Sequence, residues 1–313
     1  SRRQRQMCIR DSFSRRTSDM LFNLPISSTT GFDSEPVNFG KMVNTGFEFN
    51  LSSNVYNDRN VNVNVGVNGT TYTNKITELP EQFRKDGISK SFRILKEQGG
   101  IFDYYMVKSA GVNPENGDQM YWCWNKKTEQ FEKVGSKDYS SSLKDRQFVG
   151  SALPKIAGGF YANAAAYGFD FSIQFSYRVG GKVYDGSYSE LMSSGRPGTN
   201  WHKDILNHWT PENTNTDVPR LHNQNQKLNQ ASDRFLIDGS YLSLNNLTLG
   251  YSLPKSVLSK AKIQGLRLYF AADNLGLWSK RKGLDPRIAL NGTQDYSVNS
   301  AVRALSFGIN LNL

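Results

Sequence analysis

Long hydrophobic runs are missing from this 313-residue chain: no stretch is apolar enough for a membrane-spanning helix, which needs about 20 such residues. Cysteine is nearly absent. Cys8 and Cys123 lie far apart with no CxxC or zinc-finger spacing, so neither a disulfide framework nor a zinc site is implied. Histidine is scarce too. His202, His208 and His222 fall in one polar region near Asp204, in no known metal-ligand pattern, and read as loop residues. Nor is there a GxSxG, an HExxH, a P-loop, or a GxGxxG between a strand and a helix. No enzyme class and no cofactor is indicated. The net charge is +10, but apart from the first sixteen positions and the short run Lys280-Arg281-Lys282 the basic residues are dispersed rather than clustered with aromatics between them, so no nucleic-acid partner is expected. Repeats of 20 to 50 residues are absent, which disfavours propellers and solenoids.

Alternation is what the chain has in abundance. From Phe169 to Val179 every odd residue is apolar (Phe169, Phe171, Ile173, Phe175, Tyr177, Val179), and every even one is polar or charged (Asp170, Ser172, Gln174, Ser176, Arg178). Successive strand residues point to opposite faces, so one face is apolar and the other wet. About ten residues also suffice for a tilted strand to cross a bilayer. An aromatic-rich face against lipid and a charged face against water suit a membrane barrel. The same alternation also serves a half-buried strand of a soluble sandwich.

The pattern recurs at Val43–Leu51, at Val61, Val63, Val65 and Val67, at 158–166, and at Leu242–Leu253, with a phase change at Asn245-Asn246 that reads as a bulge. It returns from Leu266, and closes the chain with Leu305, Phe307, Ile309, Leu311 and Leu313. Helical periodicity is confined to 255–262. Connections alternate between short (57–59, 167–168, 254–264) and long (26–40, 181–239, 279–299), as in outer-membrane barrels with tight periplasmic turns and extended external loops. The stretch 76–156 is either one long external region or contains an extra transmembrane hairpin.

The first twelve residues, with four Arg and one Asp, fit none of this and lack the apolar core of a secretory signal. Residues 1–16 are expected to be a leader that is non-native in part, with the native N-terminus upstream.

Several segments together resemble the SusC/RagA-like TonB-dependent transporters of Bacteroidetes outer membranes. They are Phe235-Leu-Ile-Asp-Gly-Ser-Tyr-Leu-Ser-Leu-Asn-Asn-Leu-Thr-Leu-Gly-Tyr-Ser-Leu-Pro254, Leu266–Leu275 with Lys282–Pro286, Ala110-Gly-Val-Asn-Pro-Glu-Asn-Gly117, Gly150–Lys155 with Gly158-Gly-Phe160, and Ser28–Phe32 with Asn38-Phe-Gly40 and Thr45–Glu48. These elements come in the family's order and cover about 17–313.

The resemblance implies an all-β fold, the C-terminal portion of a large antiparallel transmembrane β-barrel of 22 strands with long extracellular loops. The plug domain, the TonB-engaging segment and the early strands would lie outside this chain. It also implies residence in the cell outer membrane and active import of a nutrient, oligosaccharide or peptide, with a SusD-like surface lipoprotein and with TonB as partners. Barrel proteins commonly end in an aromatic residue, and Leu313 departs from that.

Phe169, Phe171, Ile173, Phe175 and Tyr177 would face lipid, and Leu305–Leu313 would form the closing strand. Aromatic faces stack on sugars and peptides, so Trp201, Trp209, Trp122 and Trp124 are the candidate ligand contacts in external loops. Loop packing is their alternative role, and an interfacial girdle is the expected role of Trp278. The other reading of the whole chain is a soluble or surface β-rich carbohydrate-binding module.

Overall fold

The computed structural model describes residues 6–38, 40–194, 198–221, 226–259, 263–287, 292–294 and 300–312. Leu313 and His222 lie outside them. The period-two segments become one eight-stranded antiparallel sheet: β1 (Gln6–Thr17), β2 (Lys41–Asn57), β3 (Val61–Glu78), β4 (Ile156–Ala166), β5 (Phe169–Val179), β6 (Tyr241–Ser252), β7 (Gly265–Ser279) and β8 (Ala304–Asn312). Each strand pairs with the next in sequence, so the sheet is a plain meander whose two edges are β1 and β8.

Tight turns join strands at one end. At Tyr167-Gly168 both residues have positive φ (50° and 91°), the backbone that a two-residue hairpin demands. The helical signal at 255–262 gives one short turn, Lys255–Leu258. The bulge falls at Asn245, where the register with β7 shifts between Leu244 and Asn246.

The 76–156 alternative is resolved by pairing. β3 hydrogen-bonds directly to β4, from Val61↔Ala166 to Thr70↔Ala157, so the sheet has no extra hairpin between them. The intervening chain builds a second sheet instead, from Ile88–Lys90, Arg93–Leu95, Asp103–Val112, Gln119–Asn125 and Gln130–Gly135, with Arg146–Ser151 paired to Asp103–Val107.

The twelve residues left out of the fold by sequence do enter it in part: Gln6–Ser12 run antiparallel to Phe47–Ser53. In β1 the residues opposite Leu51, Phe49 and Phe47 are Cys8, Arg10 and Ser12, so the apolar row of β2 does not continue there.

Fully buried side chains are concentrated away from the eight-stranded sheet. The main cluster (Tyr104, Met106, Tyr184, Met192, Ile205 and Phe235 among its members) is built from 76–156 and 181–239 together.

Candidate functional site

Register turns single-strand alternation into continuous rows. One row on the apolar face runs Val63, Ala164, Phe171, Leu249, Phe270, Phe307, and the next runs Val61, Ala166, Phe169, Tyr251, Leu268, Ile309. Directly opposed side chains on one face of an antiparallel pair sit about 5 Å apart and stack. Accordingly Phe160–Phe175, Phe169–Tyr251 and Phe270–Phe307 have ring centroids 4.7, 4.4 and 5.0 Å apart. Within the sequence-selected set, Phe169 and Phe171 are exposed, and Ile173, Phe175 and Tyr177 are half-buried among neighbours in the sheet. On the closing strand Leu305, Phe307, Ile309 and Leu311 are all exposed, Phe307 by 83%.

The opposite face carries rows such as Asn64, Asn163, Ser172, Thr248, Ala271, Ser306. Its polar groups answer one another across strands. Ser172 Oγ donates to Asn163 Oδ1 (2.7 Å), Asn64 Nδ2 to Asn54 Oδ1 (2.9 Å), and Asn246 Nδ2 to Asp273 Oδ1 (2.7 Å). Asp170 accepts a fork from Arg267, Nε at 2.8 Å and Nη2 at 2.6 Å, the planar geometry at which guanidinium and carboxylate match. Glycines make room for rings on this face: Tyr161 covers Gly66 and Tyr269 covers Gly308. Arg178 does not pair with Asp170. Its guanidinium donates to the Ala152 and Gly180 carbonyls, tying the wall to the segment that enters β4.

At the end opposite the tight turns, three loop regions interlock. Tyr104 Oη donates to the carbonyls of Lys182 (3.2 Å) and Gly292, and the Tyr184 amide donates to the same Gly292 carbonyl (2.8 Å). Tyr121 Oη donates to the Lys227 carbonyl (2.6 Å) and accepts from the Gln230 amide (3.1 Å). Arg220 Nε meets Asp118 Oδ1 at 2.8 Å. Burial pushes the Tyr121 phenol upward and the Cys123 thiol up to about 11, so neither ionises near neutral pH. Burial also raises the Asp233 carboxyl, against the Ser109 amide that donates to it at 2.7 Å.

The four candidate tryptophans are not brought together; none of the described ring contacts joins two of them. Trp122 and Trp124 share one face of the Gln119–Asn125 strand. Lys133 Nζ lies 5.4 Å from the Trp122 ring, and Phe131 stands edge-on to Trp124 at 5.2 Å. Trp209 Nε1 donates to the Pro114 carbonyl (3.0 Å), and a β-carbon on Gly117 would fall 2.5 Å from its ring. The Pro114–Gly117 turn is thus a seat for Trp209, a joint between two loops. Trp201 is 42% exposed and Trp278 57%. Among the described residues no group of His, Cys, Asp or Glu could hold a metal ion, and no helix is long and apolar enough to cross a membrane.

Sequence reasoning missed the residues that join the loops, Tyr104, Tyr121 and Arg220, because each finds its partner far along the chain and no local spacing marks it. The one usable signal was the Asn113–Gly117 element, whose glycine (φ 72°) admits the Trp209 ring.

No family profile matches the chain. TonB-dependent receptor P3 of Formosa agariphila is 29% identical over 323 residues, 96% of this chain and 32% of that protein. TonB-dependent receptor SusC of Bacteroides thetaiotaomicron is 24% identical over 308 residues, 97% of this chain and 29% of that one. Among solved structures, the RagAB peptide importer in its closed-closed state superposes with a TM-score of 0.84 at 29% identity, covering 98% of this chain and 33% of that one. The chain is SusC/RagA-like. In its open-open state the same importer superposes with a TM-score of 0.80 at 30% identity. The SusC/RagA-like chain therefore has the all-β, antiparallel architecture of a large barrel wall, and spans about a third of the length of the curated relatives it matches.

Proposed function

We propose that residues 17–313 form part of the wall and external loops of an outer-membrane, TonB-dependent nutrient importer. The observation that carries this reading is the pair of faces: rows of Phe, Leu, Val and Ala on one side of six consecutive strands, and rows of Asn, Ser, Thr and paired charges on the other. Lipid tolerates only a surface with no free polar groups, and a water-filled lumen favours the reverse, so a transmembrane barrel needs both faces on every strand. In this assignment Phe169, Phe171, Ile173, Phe175 and Tyr177, together with Leu305, Phe307, Ile309 and Leu311, contact lipid. The tight turns face the periplasm, and the loop unit faces outward. Arg10, set opposite Phe49 in an otherwise apolar row, supports leaving the first residues out of the native wall. A carbohydrate-binding sandwich would bury the apolar face, whereas here Phe307 and Ile309 are 83% and 68% exposed.

In the intact protein, substrate would be held between the loop unit and a SusD-like lipoprotein, and TonB would drive its passage. The relation to a peptide importer favours peptide over oligosaccharide as cargo. Trp201 is the tryptophan best placed to touch it, since its ring is exposed whereas Trp209, Trp122 and Trp124 already pack within the loops. Growth of a strain deleted for the full-length gene on defined peptides or oligosaccharides, complemented with wild type or with a variant lacking the TonB-engaging segment, tests the reading. Restored growth with wild type alone is the expected result. Equal growth with both would remove TonB-dependent import.

A further inference from the structure

The outer face of β2 and β3 changes character toward its external end. Its lower rows are apolar: Leu51 opposite Val67, and Phe49 opposite Gly69. Above them Phe47 lies opposite Thr71, Thr45 opposite Thr73, and Val43 opposite Lys75. The Thr45 and Thr73 hydroxyls are 2.9 Å apart, one donating to the other, which leaves oxygen lone pairs facing outward.

Two clefts lie along this strip. The upper, about 600 Å³, lies between Thr45, Phe47, Thr71 and Thr73 on the wall and Leu153 and Lys155 on the segment entering β4. Asp103 also lines it and keeps its negative charge while accepting the Gly100 amide at 2.8 Å, so the field is positive only through two ammonium groups set against that one carboxylate, Lys155 in the lining and Lys75 one row above Thr73. The lower cleft, about 460 Å³, is walled by Leu51, Val65, Val67, Phe160, Ala162 and Phe175. From the Thr45–Thr73 row to the Ser53–Val65 row the strands run eight residues, roughly 27 Å at 3.4 Å each. Tilted by about 40°, that spans roughly 20 Å along the membrane normal, a headgroup and one leaflet of a hydrocarbon core about 30 Å thick.

Hydroxyls and ammonium groups above, a dry apolar groove below on the same two strands, and a spacing of one leaflet together describe an amphiphile. We propose that these clefts hold one outer-leaflet glycolipid. Its phosphorylated sugar headgroup would lie against Thr45, Thr71, Thr73, Lys75 and Lys155, and an acyl chain would lie along Val65, Val67 and Phe160. The proposal rests on the outward-facing assignment of this face. It adds a specific lipid contact where that assignment alone implies only bulk solvent.

The test uses the full-length protein purified in detergent from outer membranes and titrated in native mass spectrometry with lipid A bisphosphate, with phosphatidylethanolamine as control. One lipid A per barrel is expected at a concentration at least tenfold below that needed for the control. Lys75→Glu with Lys155→Glu should raise the lipid A concentration required at least tenfold and leave the control unchanged. Ala162→Trp, which fills the lower cleft, should weaken lipid A while the protein stays heat-modifiable on gels. Equal binding of the two lipids, or variants indistinguishable from wild type, would overturn the site. Protein that is not heat-modifiable would overturn the wall assignment and this site with it; heat-modifiable protein without a lipid A preference would overturn this site alone.

Discussion

The Arg281 guanidinium lies 3.7 Å from the centre of the Tyr188 ring, with its Nε 3.3 Å from Asp185 Oδ2. Arg281 follows β7 and Tyr188 sits in the short helix Gly186–Leu191 after β5, so this contact locks two loops together. Tyr188 extends the link: its hydroxyl donates to Asp204 Oδ2 at 3.0 Å, and the His202 ring stands edge-on to it at 4.9 Å. A partly desolvated cation over an aromatic ring contributes about 1–2 kcal/mol. Arg281→Ala should therefore lower hydrogen-exchange protection across 183–192 by roughly tenfold, at about 1.4 kcal/mol per decade. Arg281→Lys, which keeps the charge and loses the planar stack, should fall between.

A second anchor pins the loop after β7 to the wall. Arg287 grips Asp285 through Nε (2.9 Å) and Nη2 (2.7 Å), while Nη1 donates to Ser243 Oγ (2.8 Å) and to Asn274 Oδ1 (3.2 Å), at the bulges of β6 and β7. Burial pushes the Asp285 carboxyl up, but the hydrogen bonds from Arg287 outweigh it and hold it below its ordinary 3.8. A carboxylate lowered in the folded state lends its stability above the unfolded value and loses it as pH falls through the folded one. Loop protection near 283–287 should thus be constant above about pH 4 and decline below it. Asp285→Asn should impose that loss at neutral pH, about 3 kcal/mol for a buried charge left without its partner, and remove the acid dependence.

Neighbouring residues of β5 should respond oppositely to one substitution. Phe171→Arg places a charge in the row of Val63, Leu249 and Phe307, and an arginine facing lipid near the midplane costs about 2–4 kcal/mol. Ser172→Arg points to the Asn163–Thr248 row and meets water in the lumen. In the full-length protein the first variant should fold poorly into lipid vesicles and the second should insert normally, read by heat-modifiability.

The tryptophans separate packing from ligand contact. Trp209→Ala removes a half-buried ring seated on Gly117 and a hydrogen bond to Pro114, so it should lower loop stability by about 1–2 kcal/mol, less than full burial of a large apolar side chain. Trp201→Ala should leave exchange protection unchanged and weaken substrate binding in an equilibrium assay.

The wall was legible in the sequence because a strand with two different faces writes its structure at every second residue. Phe169–Val179 and Ala304–Asn312 needed no partner to be recognised, and the extra residue at Asn245 appeared as a break in phase. The loop unit was not legible. Its strands are short, some buried on both faces, and its contacts are remote: Tyr104 reaches Lys182, and Tyr121 reaches Lys227 and Gln230. The tryptophans were visible as residues but not as packed or open, because whether a ring is covered depends on chain far away, as Trp209 and Gly117 illustrate.

The lipid-and-lumen assignment is tested most directly by nitroxide scanning of Phe169–Val179, one label at a time, in the full-length protein reconstituted in lipid. Collision rates with oxygen, which concentrates in lipid, should peak at 169, 171, 173, 175 and 177, and those with a water-soluble nickel chelate at 170, 172, 174 and 176. Rates without a period of two, or with the two quenchers exchanged between the faces, would contradict a membrane wall.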